Sequence, residues 1–358
     1  MTNRTQVVGA VRDSALTIEA VRAAAHRISG TAHRTAVATC TALDSLTRAQ
    51  VIMKPEQFQR SGSFKFRGAY NRLAQLTEAE RRAGVVAYSS GNHGAAVALA
   101  ASLLHIPATV VVPEGASTAK VNAIEAFGAA VHTYQPDHES RQVIAERIAD
   151  AAGAVLVPPF EDYEVMAGQG TLALEMVADA GDLDAIIVPV GGGGLIAGVG
   201  TVVNALLPRC RIIGVEPVDG DDTFRSLAHG RVETCPRPPQ TIADGLRTSA
   251  PGSRTFAINQ RLIDEVVLVP EEAIVAAMRF CFEHMKFVIE PSGAVGIGAL
   301  LAGVVAVRDQ RAGVVLSGGN ISATEFAELM TSPLGTTPPG LSSHSNHPTA
   351  YQTRSQNE

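Results

Sequence analysis

Val190-Gly191-Gly192-Gly193-Gly194-Leu195-Ile196-Ala197-Gly198 is the stretch on which the reading of this chain turns. It follows the apolar run Ala185 to Val190 and opens the run Leu195 to Leu207, so it reads as strand, glycine turn, helix. Such a turn aims successive backbone N–H groups at one point, where the helix N-terminus adds partial positive charge. Glycine lets the backbone approach a phosphate closely. Each charge-assisted hydrogen bond contributes about 1.5–3 kcal/mol, so several hold a dianion although the loop has no basic residue. A rival fits the same letters. Gly192-x-Gly194-x-x-Ala197 loosely matches the dinucleotide fingerprint, and Glu216 stands about 20 residues on, where a ribose-binding acid belongs. A dehydrogenase and a phosphate-cradling enzyme of another kind both remain open here.

Outward from this loop, strands and helices alternate. Val85 to Tyr88, Ala108 to Val112, Ala129 to Tyr134 and Ala154 to Val157 read as strands, separated by helices over Asn92 to Leu104, Thr118 to Phe127 and Glu139 to Ala152. Beyond them come a helix over Val165 to Ala180 and strands at Arg211 to Val215, Glu265 to Val269 and Gly313 to Leu316, with a helix over Glu271 to Met285. Upstream, Thr17 to Gly30 reads as an amphipathic helix, and Val37 to Ala42 and Val51 to Lys54 as short strands. The alternation predicts α/β architecture with parallel sheets covered on both faces, and the strand number predicts two lobes. Residues 331–358, rich in Pro, Ser, Thr and His, read as a flexible tail.

Four other stretches bear chemistry. In Ser61-Gly62-Ser63-Phe64-Lys65-Phe66-Arg67-Gly68, one lysine sits between two aromatic side chains. An apolar niche disfavours the charged amine and makes Lys65 able to attack a carbonyl, where a solvated lysine would be inert. Ser89-Ser90-Gly91-Asn92-His93-Gly94 ends a predicted strand and starts a helix, so hydroxyls, an amide and free N–H groups converge on a site fit for a carboxylate or ring oxygen; a plain helix cap has the same letters. Ser317-Gly318-Gly319-Asn320 again follows a strand and offers a hydroxyl to a ring nitrogen. Glu216-Pro217-Val218-Asp219-Gly220-Asp221-Asp222 offers carboxylates and a glycine carbonyl to a hard cation, or is a solvated acidic loop.

Together these stretches resemble the fold-type II pyridoxal-phosphate enzymes, in the branch of the serine/threonine dehydratases (ammonia-lyases) and serine racemases. Ala167-Gly168-Gln169-Gly170-Thr171, Thr241-Ile242-Ala243-Asp244-Gly245 and Ile289-Glu290-Pro291-Ser292-Gly293 belong to the same resemblance, which runs from about Thr17 to Met330. It implies a two-lobed, tryptophan synthase β-like fold with parallel-rich sheets flanked by helices. Residues 1–83 and 162–330 would form the large cofactor-binding lobe, and 84–161 a small inserted lobe. It implies pyridoxal 5'-phosphate bound covalently to Lys65, which then moves the Cα proton on one face of the substrate, with Ser90 on the other. Phe64 would pack beside the lysine and Asn92 would bond the ring hydroxyl oxygen. Gly191, Gly192, Gly193, Gly194 and Leu195 would hold the phosphate, and Ser317 would meet the pyridine nitrogen. Ser89, Ser90 and His93 would receive the substrate. Glu216, the Gly220 carbonyl and Asp222 would hold Mg²⁺ or Mn²⁺.

The implied reaction is β-elimination, dehydrating and deaminating a β-hydroxy amino acid such as L-threonine or L-serine to a 2-oxo acid and ammonia. The neutral hydroxyl of Ser317 does not force the ring nitrogen to take a proton, which favours loss of the β-hydroxyl over transamination. Phe160 and the pair Ser292-Gly293 lean toward the dehydratases; Ser90 keeps serine racemisation open, and 3-hydroxyaspartate is a further implied substrate. Family members are usually dimers or tetramers, so a homo-oligomer is expected.

Composition excludes other classes. The 358 residues carry a formal net charge of -6 with no Lys/Arg-rich run, which gives nucleic acid or an anionic membrane no electrostatic footprint. No apolar run approaches the ~18 residues of a membrane span. Cys40, Cys210, Cys235 and Cys281 lack close spacing and read as reduced thiols, and the polar first residues lack a signal peptide's apolar block, so a cytoplasmic enzyme is expected.

Overall fold

The computed structural model describes residues 16–136, 138–332 and 350–352. Eleven strands lie in two sheets among these residues: β1 (Ala38–Thr39), β2 (Gln50–Pro55), β3 (Val85–Tyr88), β4 (Ala108–Pro113), β5 (Ala130–Tyr134), β6 (Val155–Leu156), β7 (Ala185–Pro189), β8 (Arg211–Pro217), β9 (Glu265–Val269), β10 (Arg311–Leu316) and β11 (Ala350–Gln352). The larger sheet runs β1-β2-β10-β7-β8-β9-β11 and the smaller β5-β4-β3-β6. The smaller is parallel throughout, and in the larger only the edge pairs β1–β2 and β9–β11 are antiparallel.

The strands read as unbroken apolar runs because both faces are covered. Every residue of β7 is buried. On one face the sheet packs against helices Glu271–Phe280 and Pro291–Leu301; on the other it meets helices Ile18–Ile28, Tyr163–Ala180 and Gly194–Leu206. The small sheet carries helix Asn92–Leu104 on one face and Arg141–Ala152 on the other. Helix Lys65–Leu73 lies at the seam, packed on both Asn92–Leu104 and Tyr163–Ala180.

The Ala167–Thr171 stretch gains its reason here. A Cβ on Gly168 would lie 2.5 Å from the Gly68 Cα, and one on Gly170 would lie 2.7 Å from the Gly198 carbonyl. Tyr163–Ala180 therefore crosses both the lysine's helix and the glycine loop's helix at backbone contact. Two positions on from Lys65, Arg67 belongs to a cluster of largely buried charges. Arg67 donates to Glu56 at 2.7 Å and to Glu175 at 2.7 Å, and Lys54 donates to Glu175 at 2.6 Å.

Three expectations change. Only Ala38 and Thr39 pair as a strand in the Val37–Ala42 run; Thr41 starts a helix to Thr47 that leaves through a left-handed Arg48. The Glu271–Met285 helix is α-helical to Phe280 and closes with a π turn over Cys281–Met285. In the stretch that reads as a flexible tail, Ala350–Gln352 pairs antiparallel with β9; residues 333–349 and 353–358 lie outside the described residues.

Candidate active site

Three of the stretches singled out from the sequence converge because each leaves the carboxyl end of a parallel strand: Ser89 after β3, Gly191 after β7 and Ser317 after β10. Phe64, Lys65, Ser89, Ser90, Asn92, His93, Gly191 to Leu195 and Ser317 all line one cleft of about 320 Å³. Glu216, Gly220 and Asp222 are not on its wall.

The lysine's turn is stitched to the last loop. Ser63 and Gly318 form an antiparallel bridge, Phe64 N donates to Ser317 O at 3.1 Å, and Gly319 N to Gly62 O at 3.0 Å. Lys65 then enters the cleft. Its Nζ donates to the Pro159 carbonyl at 2.8 Å and lies 5.1 Å from the Phe64 ring centroid. No carboxylate among the described residues is bonded to it, and burial pushes its pKa down to about 8. Ser317 Oγ makes only a long 3.4 Å contact to Ser292 O, so the hydroxyl is free to turn.

The glycine loop presents N–H groups because its carbonyls are tied back. Thr255 Oγ1 donates to Gly192 O at 2.7 Å and Asn259 Nδ2 to Gly193 O at 3.1 Å. No carbonyl or side chain among the described residues takes the N–H groups of Gly191, Gly192 and Gly193, and Gly194 and Leu195 begin the helix, where N–H groups lack intrahelical partners. A Cβ on Gly192 would collide with the Phe160 ring, and Gly193 has φ of +86°. Phe160 therefore rests on the loop. The cradle fits a phosphate, and a free amine faces the same space.

On the opposite wall, Ser89 Oγ accepts from Gly91 N at 3.2 Å, and Ser90 lines the cleft beside it. Asn92 Nδ2 donates to Glu290 Oε1 at 2.6 Å, while its Oδ1 accepts from Asn320 Nδ2 at 2.8 Å. His93 departs from its expected role. Its Nε2 lies 2.8 Å from the Val157 carbonyl, which can only accept, so Nε2 carries the hydrogen. Burial, then the charge of Lys65, pushes its pKa down to about 3, leaving Nδ1 bare and without a partner. The ring has no N–H left for a carboxylate; only the backbone N–H of His93 could serve one.

Glu216 is wholly buried and accepts from Thr223 N at 3.0 Å and Phe224 N at 2.8 Å, which removes it from any ribose beside the glycine loop. Burial, and then Asp222, push its pKa well up; burial lifts Asp222 to about 7. Two adjacent buried carboxylates that resist ionising suit a cation as their missing counter-charge. They are two, and no group of three or more His, Cys, Asp or Glu side chains among the described residues is arranged to hold a metal.

Several residues of the site were not singled out from the sequence. Thr255 and Asn259 brace the glycine loop from more than sixty positions away. Glu161 caps helix Ser253–Leu262, accepting from Arg254 N at 3.0 Å. Arg141 starts helix Arg141–Ala152 at the cleft mouth; its charge reaches Tyr88 and His93, and among the described residues it makes no hydrogen bond or ion pair. Lys120, also on the wall, pairs with Asp244.

Comparison with known proteins agrees with this geometry. Residues 28–318 match the family described as pyridoxal-phosphate dependent enzyme. L-threo-3-hydroxyaspartate ammonia-lyase of Pseudomonas sp. is 44% identical over 86% of this chain and 96% of its own. L-threonine ammonia-lyase of Thermotoga maritima is 40% identical over 88% of this chain and 78% of its own. The structure of maize serine racemase superposes with a TM-score of 0.84 at 38% identity, over 88% of this chain and 97% of that one. No helix among the described residues is long and apolar enough to cross a membrane.

Proposed function

Because this chain belongs to the pyridoxal-phosphate dependent enzymes, in their fold-type II class, we propose that it is an ammonia-lyase removing water and ammonia from a β-hydroxy amino acid. The observation that carries the reading is that Lys65, the glycine cradle and Ser317 share one cleft. Pyridoxal phosphate, when bound, makes the Cα–H of an attached amino acid acidic. The chain's residues supply the rest. The N–H groups of Gly191 to Leu195 would hold the cofactor's phosphate, and the Ser317 hydroxyl would serve the ring nitrogen. The Lys65 amine takes the Cα proton; the β-carbon–oxygen bond breaks, and the hydroxyl leaves as water with a proton returned by the site. The freed enamine tautomerises and hydrolyses to a 2-oxo acid and ammonia, with no net oxidation. Ser89, Ser90 and the backbone N–H of His93 receive the substrate's α-carboxylate.

Arg141 favours one substrate class within this reading. A guanidinium that is unpaired among the described residues and lines the cleft matches a second carboxylate, so 3-hydroxyaspartate fits better than L-serine or L-threonine. Ser90, which lines the same cleft, would be the second proton donor of a racemisation side reaction. Glu216, Asp222 and the Gly220 carbonyl would hold a divalent cation, Mg²⁺ or Mn²⁺, bracing the loop before helix Asp222–His229. The enzyme is taken to be a homo-oligomer acting in the cytoplasm. Release of 2-oxo acid from 3-hydroxyaspartate, L-threonine and L-serine tests the reading; inactivity on all three sinks it, and D-serine forming faster than pyruvate would promote the racemase.

A further inference from the structure

Asn92 sits on the helix after β3, whereas its two side-chain partners, Glu290 and Asn320, come from the loops beside β10. The order of these contacts fixes which way each amide points. Asn320 Nδ2 donates to the Ser61 carbonyl at 2.7 Å. A carbonyl only accepts, so this end of Asn320 is its nitrogen. The second hydrogen of that nitrogen reaches Asn92 at 2.8 Å, so the atom facing it is Oδ1. Asn320 cannot turn over, because its Oδ1 would then oppose the Ser61 carbonyl. It is wedged besides: a Cβ on Gly62 would collide with Asn320 Oδ1, and Gly62 holds φ of +73°. With Oδ1 of Asn92 assigned, its Nδ2 has two hydrogens. One goes to Glu290 Oε1 at 2.6 Å, on a carboxyl that is 3% exposed and pressed against Gly318. The other has no acceptor among the described residues, and Asn92 lines the cleft.

We propose that Asn320 and Glu290 are positioning residues that lock the Asn92 amide so that its one remaining N–H faces the cleft as a donor to the ring hydroxyl oxygen of bound pyridoxal phosphate. The inference rests on the cofactor reading above. It adds that the donor is set by a chain of hydrogen bonds starting at Ser61 O, in the turn that carries Lys65. The amine that attaches the cofactor and the amide that orients its ring are thereby held in one frame.

The test compares purified holoenzymes of the wild type, N320A, N92A, the double variant N92A/N320A, E290A and E290Q. It reads the cofactor dissociation constant, the visible absorption band with its pH titration, and the melting temperature. N320A is expected to weaken cofactor binding about tenfold and shift the band. The double variant should bind no more weakly than N92A alone, since both remove one contact chain. E290Q keeps an oxygen acceptor of the same length and should bind within about threefold of wild type, whereas E290A should resemble N320A. Additive losses in the double variant, or an N320A band and affinity equal to wild type, overturn the proposal. If N320A does not fold, the contrast of E290A with E290Q decides in its place, and equal values for those two overturn it. A wild type that takes up no pyridoxal phosphate overturns the cofactor reading as well; a wild type that takes it up while N320A matches it overturns the positioning role alone.

Discussion

Lys54 and Lys65 lie eleven positions apart, and the fold withdraws both from bulk water to different ends. Lys54 is fully buried and surrounded by acceptors, donating to Glu175 at 2.6 Å and to Thr35 O at 2.5 Å, beside the Arg67–Glu56 pair. Lys65 has one carbonyl, a phenyl ring and, among the described residues, no bonded carboxylate. Burial alone pushes Lys65 to about 8, whereas at Lys54 burial also lowers the pKa but Glu175 pulls against it. Burial therefore lowers an amine's pKa fully only where no counter-charge opposes it. A buried lysine with a counter-charge stays an ion-paired cation; one without gives up its proton more readily.

The contrast breaks if the two positions respond alike to substitution. Lys65→Ala should cut turnover by roughly 10²–10⁴-fold while the protein stays folded, as loss of a proton-transferring group does. Lys54→Ala should do the reverse, costing about 3 kcal/mol of stability, since one partner of a buried pair is removed, with turnover per folded molecule kept. Borohydride trapping with peptide mapping separates the two lysines covalently: the label belongs on Lys65, and label on Lys54 would falsify the assignment.

A second set of substitutions sharpens the idea that unpaired charge marks function. Arg141→Ala should lower kcat/KM for 3-hydroxyaspartate about 10–100-fold, the worth of a charge-assisted bond of about 1.5–3 kcal/mol, and change L-serine turnover by less than about threefold. Equal losses on both substrates would make Arg141 a general structural cation. Lys120→Ala, at a paired cation, should not discriminate between them.

The titration of Lys65 sharpens the contrast through pH. Only the neutral amine attacks an aldehyde, so attachment of pyridoxal phosphate to the apoenzyme should quicken about tenfold per pH unit below 8 and level off above it. An amine with the ordinary value would keep quickening to about pH 10.

The smallest effect concerns Glu216 and Asp222, carboxylates without an ion-pair partner among the described residues. The folded values of Glu216 and Asp222 are raised, so the native state holds their protons more tightly than the unfolded chain. In a chelator, the stability they confer is full below the unfolded values near pH 4 and is lost as pH rises toward about 7. Adding Mg²⁺ or Mn²⁺ should recover a few degrees of melting temperature at pH 7.5 and little at pH 5. Melting that is indifferent to cation at both values would remove the site.

What the letters disclose is local. Gly191 to Gly194, Lys65 and Ser317 are legible because one turn of backbone carries each function. Thr255 and Asn259 escape such a reading because their whole role is to hold carbonyls far away in sequence. Asp222 falls in what reads as an acidic loop, yet it starts a helix and is buried by it. Helix Pro291–Leu301, with three glycines, is a poor helix by propensity. Close approach decides there: a Cβ on Gly293 would lie 2.6 Å from the Gly318 carbonyl and one on Gly296 2.9 Å from Val314. The ring of His93 shows the remaining limit, since its tautomer depends on Val157 O across the lobe.

β10 lies between β2 and β7, with its register set against both. A ribosome releases the two flanking strands long before it makes the one between them. Until residue 311 emerges, the larger sheet is cleft down its middle, and the turn carrying Lys65 has no Ser317–Asn320 loop to close on. A nascent chain can thus assemble the 85–156 sheet before the turn carrying Lys65 has Gly318 to bridge to.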